Sequence, residues 1–302
     1  MASDAAHAHN LKLAPVWYLH RARARAMGTT VSTMFDYSIQ SAAFQPPLDP
    51  TYRMAEANYV TTIDGHTIAV KSFSPVDADS IISGHSQRNF ILFSHGNADD
   101  IGQCAKYCQW LCDRLKCDLL TYDYVNYGHS SPGTTSQSNM KTAIEAVYQH
   151  VTADLNVPVD RLYIMGKSLG SAPSVYLCSR PYVDFSGLIL VSPLASGFRV
   201  LFDASGVYDS ISNAMDTVFC PSIQMISLVR KPIFIIHGLE DSVVNVRNAN
   251  DLQNRASRQS LYPPLFLEAG HNDMETKHPD VVVKEISRFV RFCTEGYTEF
   301  YE

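Results

Sequence analysis

Leu162-Tyr163-Ile164-Met165-Gly166-Lys167-Ser168-Leu169-Gly170 is the stretch that decides the fold. Four apolar residues run directly into a Gly-x-Ser-x-Gly pentad, and residues 168–179 read as a helix. Strand, sharp turn and helix together make a nucleophile elbow, in which the turn lifts the serine hydroxyl above the strand end. Gly166 and Gly170 leave room where a side chain would clash. The same letters also fit a Gly-rich turn with an ordinary serine, so the surroundings must decide between the two.

Outward from the pentad, short apolar runs alternate with helical patterns. The runs are Phe90–Phe93, Leu119–Tyr122, Leu188–Val191, Pro232–Ile236 and Leu265–Leu267. Residues 101–115, 137–154 and 279–296 carry helical periodicity. Runs that are apolar at every position belong to parallel strands buried on both faces. Residues 59–62 and 66–70 flank Asp64-Gly65, a hairpin turn signal. The expected fold is therefore α/β: a mostly parallel central sheet with an antiparallel N-terminal hairpin and helices on both faces. A small cap is expected at 194–230, where Phe198, Val200, Leu201, Phe202, Val207, Tyr208 and Phe219 either line a groove or pack the cap down.

A serine hydroxyl needs a base, and the base needs an orienting acid. Asp241 follows the run 232–236 and His271 follows the run 265–267, in the order Ser, Asp, His. Parallel strands share one carboxyl edge, which brings Ser168, Asp241 and His271 together. Glu240 and Asp273 are rival acids, Asp273 being the more local of the two. His95 and His237 also end strands, but neither fits the chain order, so both are assigned structural hydrogen bonds. Asp123 is read as shaping the loop near the site. The developing oxyanion needs backbone donors. These are expected from Leu169, after the nucleophile, and from Asn97, with Ala98 as its neighbouring alternative.

Several strings then converge on one group. Phe93-Ser94-His95-Gly96-Asn97-Ala98, Tyr122-Asp123-Tyr124, Gly166–Gly170, Ser192-Pro193-Leu194, Ile235–Asp241 and Gly270-His271-Asn272-Asp273 resemble the α/β-hydrolase domain-containing protein 17 family. The resemblance runs from about Ala43 to Phe292, and Ala43-Phe44-Gln45-Pro46-Pro47 resembles that family's lead-in. It implies an α/β-hydrolase fold and a serine hydrolase that cleaves palmitoyl thioesters. S-palmitoylated membrane proteins would be its substrates. Alternatives with the same triad are a carboxylesterase, a lipase or a serine peptidase; one of another class is a non-catalytic membrane scaffold. In the family an N-terminal cysteine cluster is itself palmitoylated, whereas in this sequence no cysteine precedes Cys104.

Composition excludes other classes. With 46% hydrophobic and 18% charged residues, the chain has ample material for a core and is not a disordered protein. A net charge of −6 argues against a nucleic-acid partner. Seven cysteines make an odd count, which reads as a reducing environment rather than a disulfide framework. Cys104, Cys108 and Cys112 share one helix face and, with Cys117, are read as buried rather than as zinc ligands. No metal or organic cofactor is expected.

Residues 1–39 read as a disordered leader and 40–302 as the hydrolase domain. The Arg-rich, acid-poor stretch 1–26 also fits an organelle transit peptide. Met27-Gly28-Thr29-Thr30-Val31-Ser32 matches the N-myristoylation pattern, which suggests Met27 as the functional start and Gly28 as the acceptor. One myristoyl chain gives only marginal binding, with K of about 10⁴ M⁻¹. The expectation is a monomer in the cytoplasm, held peripherally on plasma or endosomal membranes.

Overall fold

The computed structural model describes residues 43–76, 88–201, 216–217 and 219–295. The leader, Met27 and Gly28 lie outside the described residues, as do Phe202, Val207 and Tyr208 of the cap region. The strands are β1 Asn58–Thr61, β2 Thr67–Phe73, β3 Phe90–Ser94, β4 Asp118–Tyr122, β5 Leu162–Lys167, β6 Gly187–Val191, β7 Ile233–Gly238 and β8 Leu265–Leu267. The helices are α1 Ile101–Leu115, α2 Gln137–Gln149, α3 Ser171–Cys178, α4 Gly197–Leu201, α5 Ser222–Met225, α6 Arg247–Arg255, α7 Met274–Lys277 and α8 Pro279–Glu295.

One sheet holds all eight strands in the order β1-β2-β4-β3-β5-β6-β7-β8. β1 pairs antiparallel with β2, and β2 antiparallel with β4. Every other neighbour is parallel. The antiparallel hairpin at Asp64-Gly65 thus forms as expected, with Gly65 at φ +83° in the turn.

The continuous apolar runs are explained by burial on both faces. In β5, Leu162 and Ile164 face one core while Tyr163 and Met165 face the other. β3 divides likewise, with Leu92 against Ile91 and Phe93. The first core is closed by α2, α3 and α6 through Ile144, Val175 and Leu252. The second is closed by α1 and α8 through Cys108, Leu111, Ile286 and Phe289. The α1 cysteines are buried apolar packing in that second core, and all seven cysteines are free.

Two helical expectations are refined. The span 137–154 is α-helical only to Gln149 and continues to Asp154 as a π-helical turn. The span 168–179 opens as a 3₁₀ turn, Ser168–Gly170, before α3 begins. In the cap region, Phe219 is buried and meets Phe44 edge-on at 5.5 Å, and Val200 packs on the first core. These two aromatics tie the segment before β1 to the far side of the cap. Arg199 pairs with Asp216 at 2.6 Å and also with Asp251, pinning α4 to α6.

The residues before β1 form a strap across the β3–α1 loop. Asn97 Nδ2 donates to Ala43 O at 2.7 Å, and Gln45 N–H donates to Asn97 Oδ1 at 3.0 Å. At the other end, the buried Asp100 caps α1 by accepting from Gln103 N–H at 2.9 Å and takes Thr51 N–H at 2.7 Å. The Thr51 hydroxyl bonds the same carboxylate. One side chain therefore holds both a helix start and the strap. Asp100→Ala removes the cap and leaves buried donors unpaired, which costs about 1–3 kcal/mol. Chemical denaturation checks this: a lowered midpoint with unchanged m-value is expected.

Candidate active site

β3, β5, β7 and β8 run parallel, so the residues that follow them emerge on one edge of the sheet. Ser168 follows β5, Asp241 follows β7, His271 follows β8, and Asn97 follows β3.

The elbow is strained and tightly packed. Ser168 holds φ +52°, a left-handed conformation that costs an ordinary residue about 1–2 kcal/mol. A Cβ on Gly170 would lie 2.0 Å from Ser94 O, and one on Gly166 would lie 2.4 Å from Gly170 O. Only hydrogen fits at either position. The turn is closed by Ser171 Oγ donating to Ser168 O at 2.6 Å and Ser174 Oγ donating to Gly170 O at 2.9 Å.

The three expected residues meet. His271 Nε2 lies 3.0 Å from Ser168 Oγ, and His271 Nδ1 lies 2.7 Å from Asp241 Oδ2. Asp241 Oδ1 accepts from the N–H groups of Val243 at 2.9 Å and Val244 at 2.8 Å. Burial alone would raise the Asp241 pKa, but hydrogen bonds from His237, His271 and Val244 outweigh it and hold the carboxyl below the usual range. An ionised acid on Nδ1 leaves Nε2 free to accept the serine proton.

The rival acids fall away on geometry. Asp273 Oδ1 accepts from Gly270 N–H at 2.6 Å, and its other oxygen pairs with Lys277 at 2.9 Å. It shapes the histidine loop from within. Glu240 is largely exposed and lies 3.6 Å from Lys277.

The β3–α1 loop reaches the elbow: a Cβ on Gly96 would lie 3.7 Å from Ser168 Cβ. Leu169 is the second residue of the 3₁₀ turn, where a backbone N–H has no intrahelical acceptor. The Asn97 side chain is already committed to Ala43, Gln45 and Tyr127, so only its backbone N–H remains for an oxyanion. Ala98, at φ +57°, is exposed.

His95 and His237 do make structural bonds, and more than corner bonds. His237 Nε2 lies 2.8 Å from Val244 O and 3.3 Å from Asp241 Oδ2, so it supports the acid's own loop. His95 Nδ1 donates to Gly96 O at 2.8 Å, and its Nε2 sits 3.3 Å from Asp123 Oδ1 without hydrogen-bond alignment. Asp123 also accepts from Tyr52 OH at 2.6 Å and from Ile101 N–H at 2.8 Å. Burial disfavours a charged His95, but the adjacent Asp123 carboxylate prevails and raises it to about 9. This fully buried pair lies at the foot of the β3–α1 loop.

Sequence reasoning did not reach Lys167 and Glu275, which pair at 3.0 Å. One precedes the nucleophile and the other follows the histidine by four residues. Their separation of 108 positions leaves no local pattern to read. Among the described residues no group of three or more His, Cys, Asp or Glu could hold a metal ion. No helix among them is long and apolar enough to cross a membrane.

Comparison with known proteins agrees with this architecture. A family model described as serine aminopeptidase, S33, matches residues 85–224. α/β-Hydrolase domain-containing protein aho-3 of Caenorhabditis elegans is 32% identical over 260 residues, covering 78% of this chain and 73% of that protein. α/β-Hydrolase domain-containing protein 17C of Homo sapiens is 38% identical over 191 residues, covering 63% of this chain. The match spans 55% of that human protein's own length. An esterase of Pyrococcus furiosus superposes with a TM-score of 0.61 at 14% identity, over 82% of this chain and 98% of that one. At that identity the likeness concerns the fold alone.

Two outcomes follow from the geometry. Gly170→Ala drives a methyl into the Ser94 carbonyl and destabilises the chain by several kcal/mol, about 3 or more, read as loss of soluble protein or a large fall in Tm. The second concerns pH. His95 has a folded pKa of about 9 against 6.5 for the free side chain, so its pairing stabilises the fold fully below pH 6.5. That contribution, about 3 kcal/mol, is lost as pH rises through 9. Tm measured from pH 6 to 9 should fall in the native chain and lose that slope in His95→Gln.

Proposed function

The chain belongs to the α/β-hydrolase domain-containing protein family and is a hydrolase, and from that premise we propose that it is a serine hydrolase of palmitoyl thioesters on membrane-bound proteins. The observation that carries the serine mechanism is the unbroken relay Ser168–His271–Asp241, at 3.0 and 2.7 Å, with the serine on a strained elbow. The thioester assignment draws on the resemblance of the motifs around each triad residue to the α/β-hydrolase domain-containing protein 17 family.

The reaction runs in two halves. His271 Nε2 takes the Ser168 proton as Oγ attacks the acyl carbonyl. The tetrahedral oxyanion is held by the N–H groups of Leu169 and Asn97, with Ala98 beside them. His271 then returns the proton to the departing cysteine sulfur, leaving an acyl ester on Ser168. Water attacks that ester while His271 takes its proton. Palmitate leaves, and the proton returns to Ser168. Asp241 stays ionised throughout and stabilises the imidazolium.

The setting completes the proposal. The enzyme acts as a monomer on the cytoplasmic face of plasma or endosomal membranes and meets them peripherally. Gly28 is the lipid acceptor if translation begins at Met27, and mass spectrometry of the endogenous N-terminus decides that point. The serine peptidase reading draws on the description of the matched family model.

Ser168→Ala should abolish fluorophosphonate labelling and hydrolysis, a loss of at least about 10⁴-fold, with Tm unchanged within a few degrees. Native turnover persisting in that variant defeats the serine assignment. Release of palmitate from an S-palmitoylated peptide should far exceed cleavage of a matched oxygen ester or an unacylated peptide. Faster cleavage of the ester or the peptide bond would instead favour the esterase or peptidase.

A further inference from the structure

We propose that the Lys167–Glu275 ion pair is a positioning strut that sets the distance between Ser168 and His271, an inference that rests on the serine-hydrolase reading above. The residues alternate in β5, so Tyr163, Met165 and Lys167 share the face toward α1 and α8. From there the Lys167 ammonium reaches Glu275 Oε1 at 3.0 Å and lies 4.9 Å above the Tyr107 ring of α1. Both charged side chains are largely enclosed, at 16% and 10% exposure. Tyr107 is itself wedged between Trp110, stacked at 5.9 Å, and Phe93 at 5.5 Å. The ammonium therefore rests against a fixed ring and has one carboxylate to grip.

The need for such a strut comes from the histidine loop. β5 lies mid-sheet, bonded to β3 and β6, and the elbow inherits its rigidity. β8 is a three-residue edge strand that, among the described residues, pairs with β7 alone. Beyond it, His271 sits on a loop between Gly270 and α7. A short edge strand is a loose mount for a catalytic base. The pair joins the residue before the nucleophile to the first turn of α7, just past the base. It spans from a strand bonded on both sides to the segment that follows the sheet's short edge strand. Displacing a catalytic group by about 1 Å can cost about 100-fold in rate, so a mount of this kind acts on kcat rather than on substrate affinity.

The test measures the rate of fluorophosphonate labelling at Ser168 and kcat and KM on p-nitrophenyl butyrate, with Tm recorded for each variant. Lys167→Met and Glu275→Gln should each lower labelling rate and kcat by about 10- to 100-fold with KM changed less than about twofold. The double variant Lys167→Met/Glu275→Met leaves no unpaired buried charge, stays folded, and should be no slower than the worse single variant. Lys167→Arg keeps the pair and should recover most of the rate. Unchanged kcat in Lys167→Met, losses that multiply in the double variant, or no recovery with arginine would each overturn the strut. The Ser168→Ala control separates the two readings: if it stays active the serine assignment itself fails, whereas a dead Ser168→Ala beside a fully active Lys167→Met removes the strut alone.

Discussion

The edge that carries Ser168, Asp241 and His271 depends on the close approach of the elbow backbone to β3. Gly170 can sit against the Ser94 carbonyl only because it lacks a side chain. That contact holds Ser168 in a left-handed conformation it would otherwise leave. The strain, about 1–2 kcal/mol, is small beside the pairing of β5 with both neighbours and the two cores beneath it. The same approach brings the β3–α1 loop, which carries Asn97, against the nucleophile. Ser168 and the loop that carries Asn97 are therefore placed by one packing constraint rather than by two.

His271–Asp241 and His95–Asp123 do different work on this edge, and His237 stands 3.3 Å from the same Asp241. His271 has one nitrogen on an ionised carboxylate and the other on Ser168. His95 is enclosed, tilted against the rings of Tyr124 and Tyr127, and its charge is neutralised by Asp123. It has no path to a substrate. Its service is to hold the floor of the oxyanion loop, with Tyr124 OH donating to His95 O at 2.6 Å. What separates the two histidines is which atom the second nitrogen meets.

Much of this was legible in the residues because it is local. Strand 162–165 was read to within two residues of its observed end, since unbroken apolar runs mark strands buried on both faces. Chain order and strand-end position selected Ser168, Asp241 and His271, because a parallel sheet turns those two facts into proximity. The π-helical turn at 150–154 was not legible, since its residues carry ordinary helical periodicity. Nor were the long-range pairs. Asn97 was assigned for its backbone, yet its side chain ties down the strap at Ala43 and Gln45, 52 to 54 positions away. Nor was the buried contact of His95 with Asp123, 28 positions on, which only the fold brings to 3.3 Å.

In the proposed reaction the acyl group passes through a covalent ester on Ser168. Acid-quenching the enzyme during turnover of a palmitoyl-thioester peptide, followed by digestion and mass spectrometry, reads that claim directly. A palmitoyl ester on the peptide carrying Gly166–Gly170, localised to Ser168, is the predicted result. Steady release of palmitate with no adduct on Ser168, or with the adduct on another residue, would contradict the account.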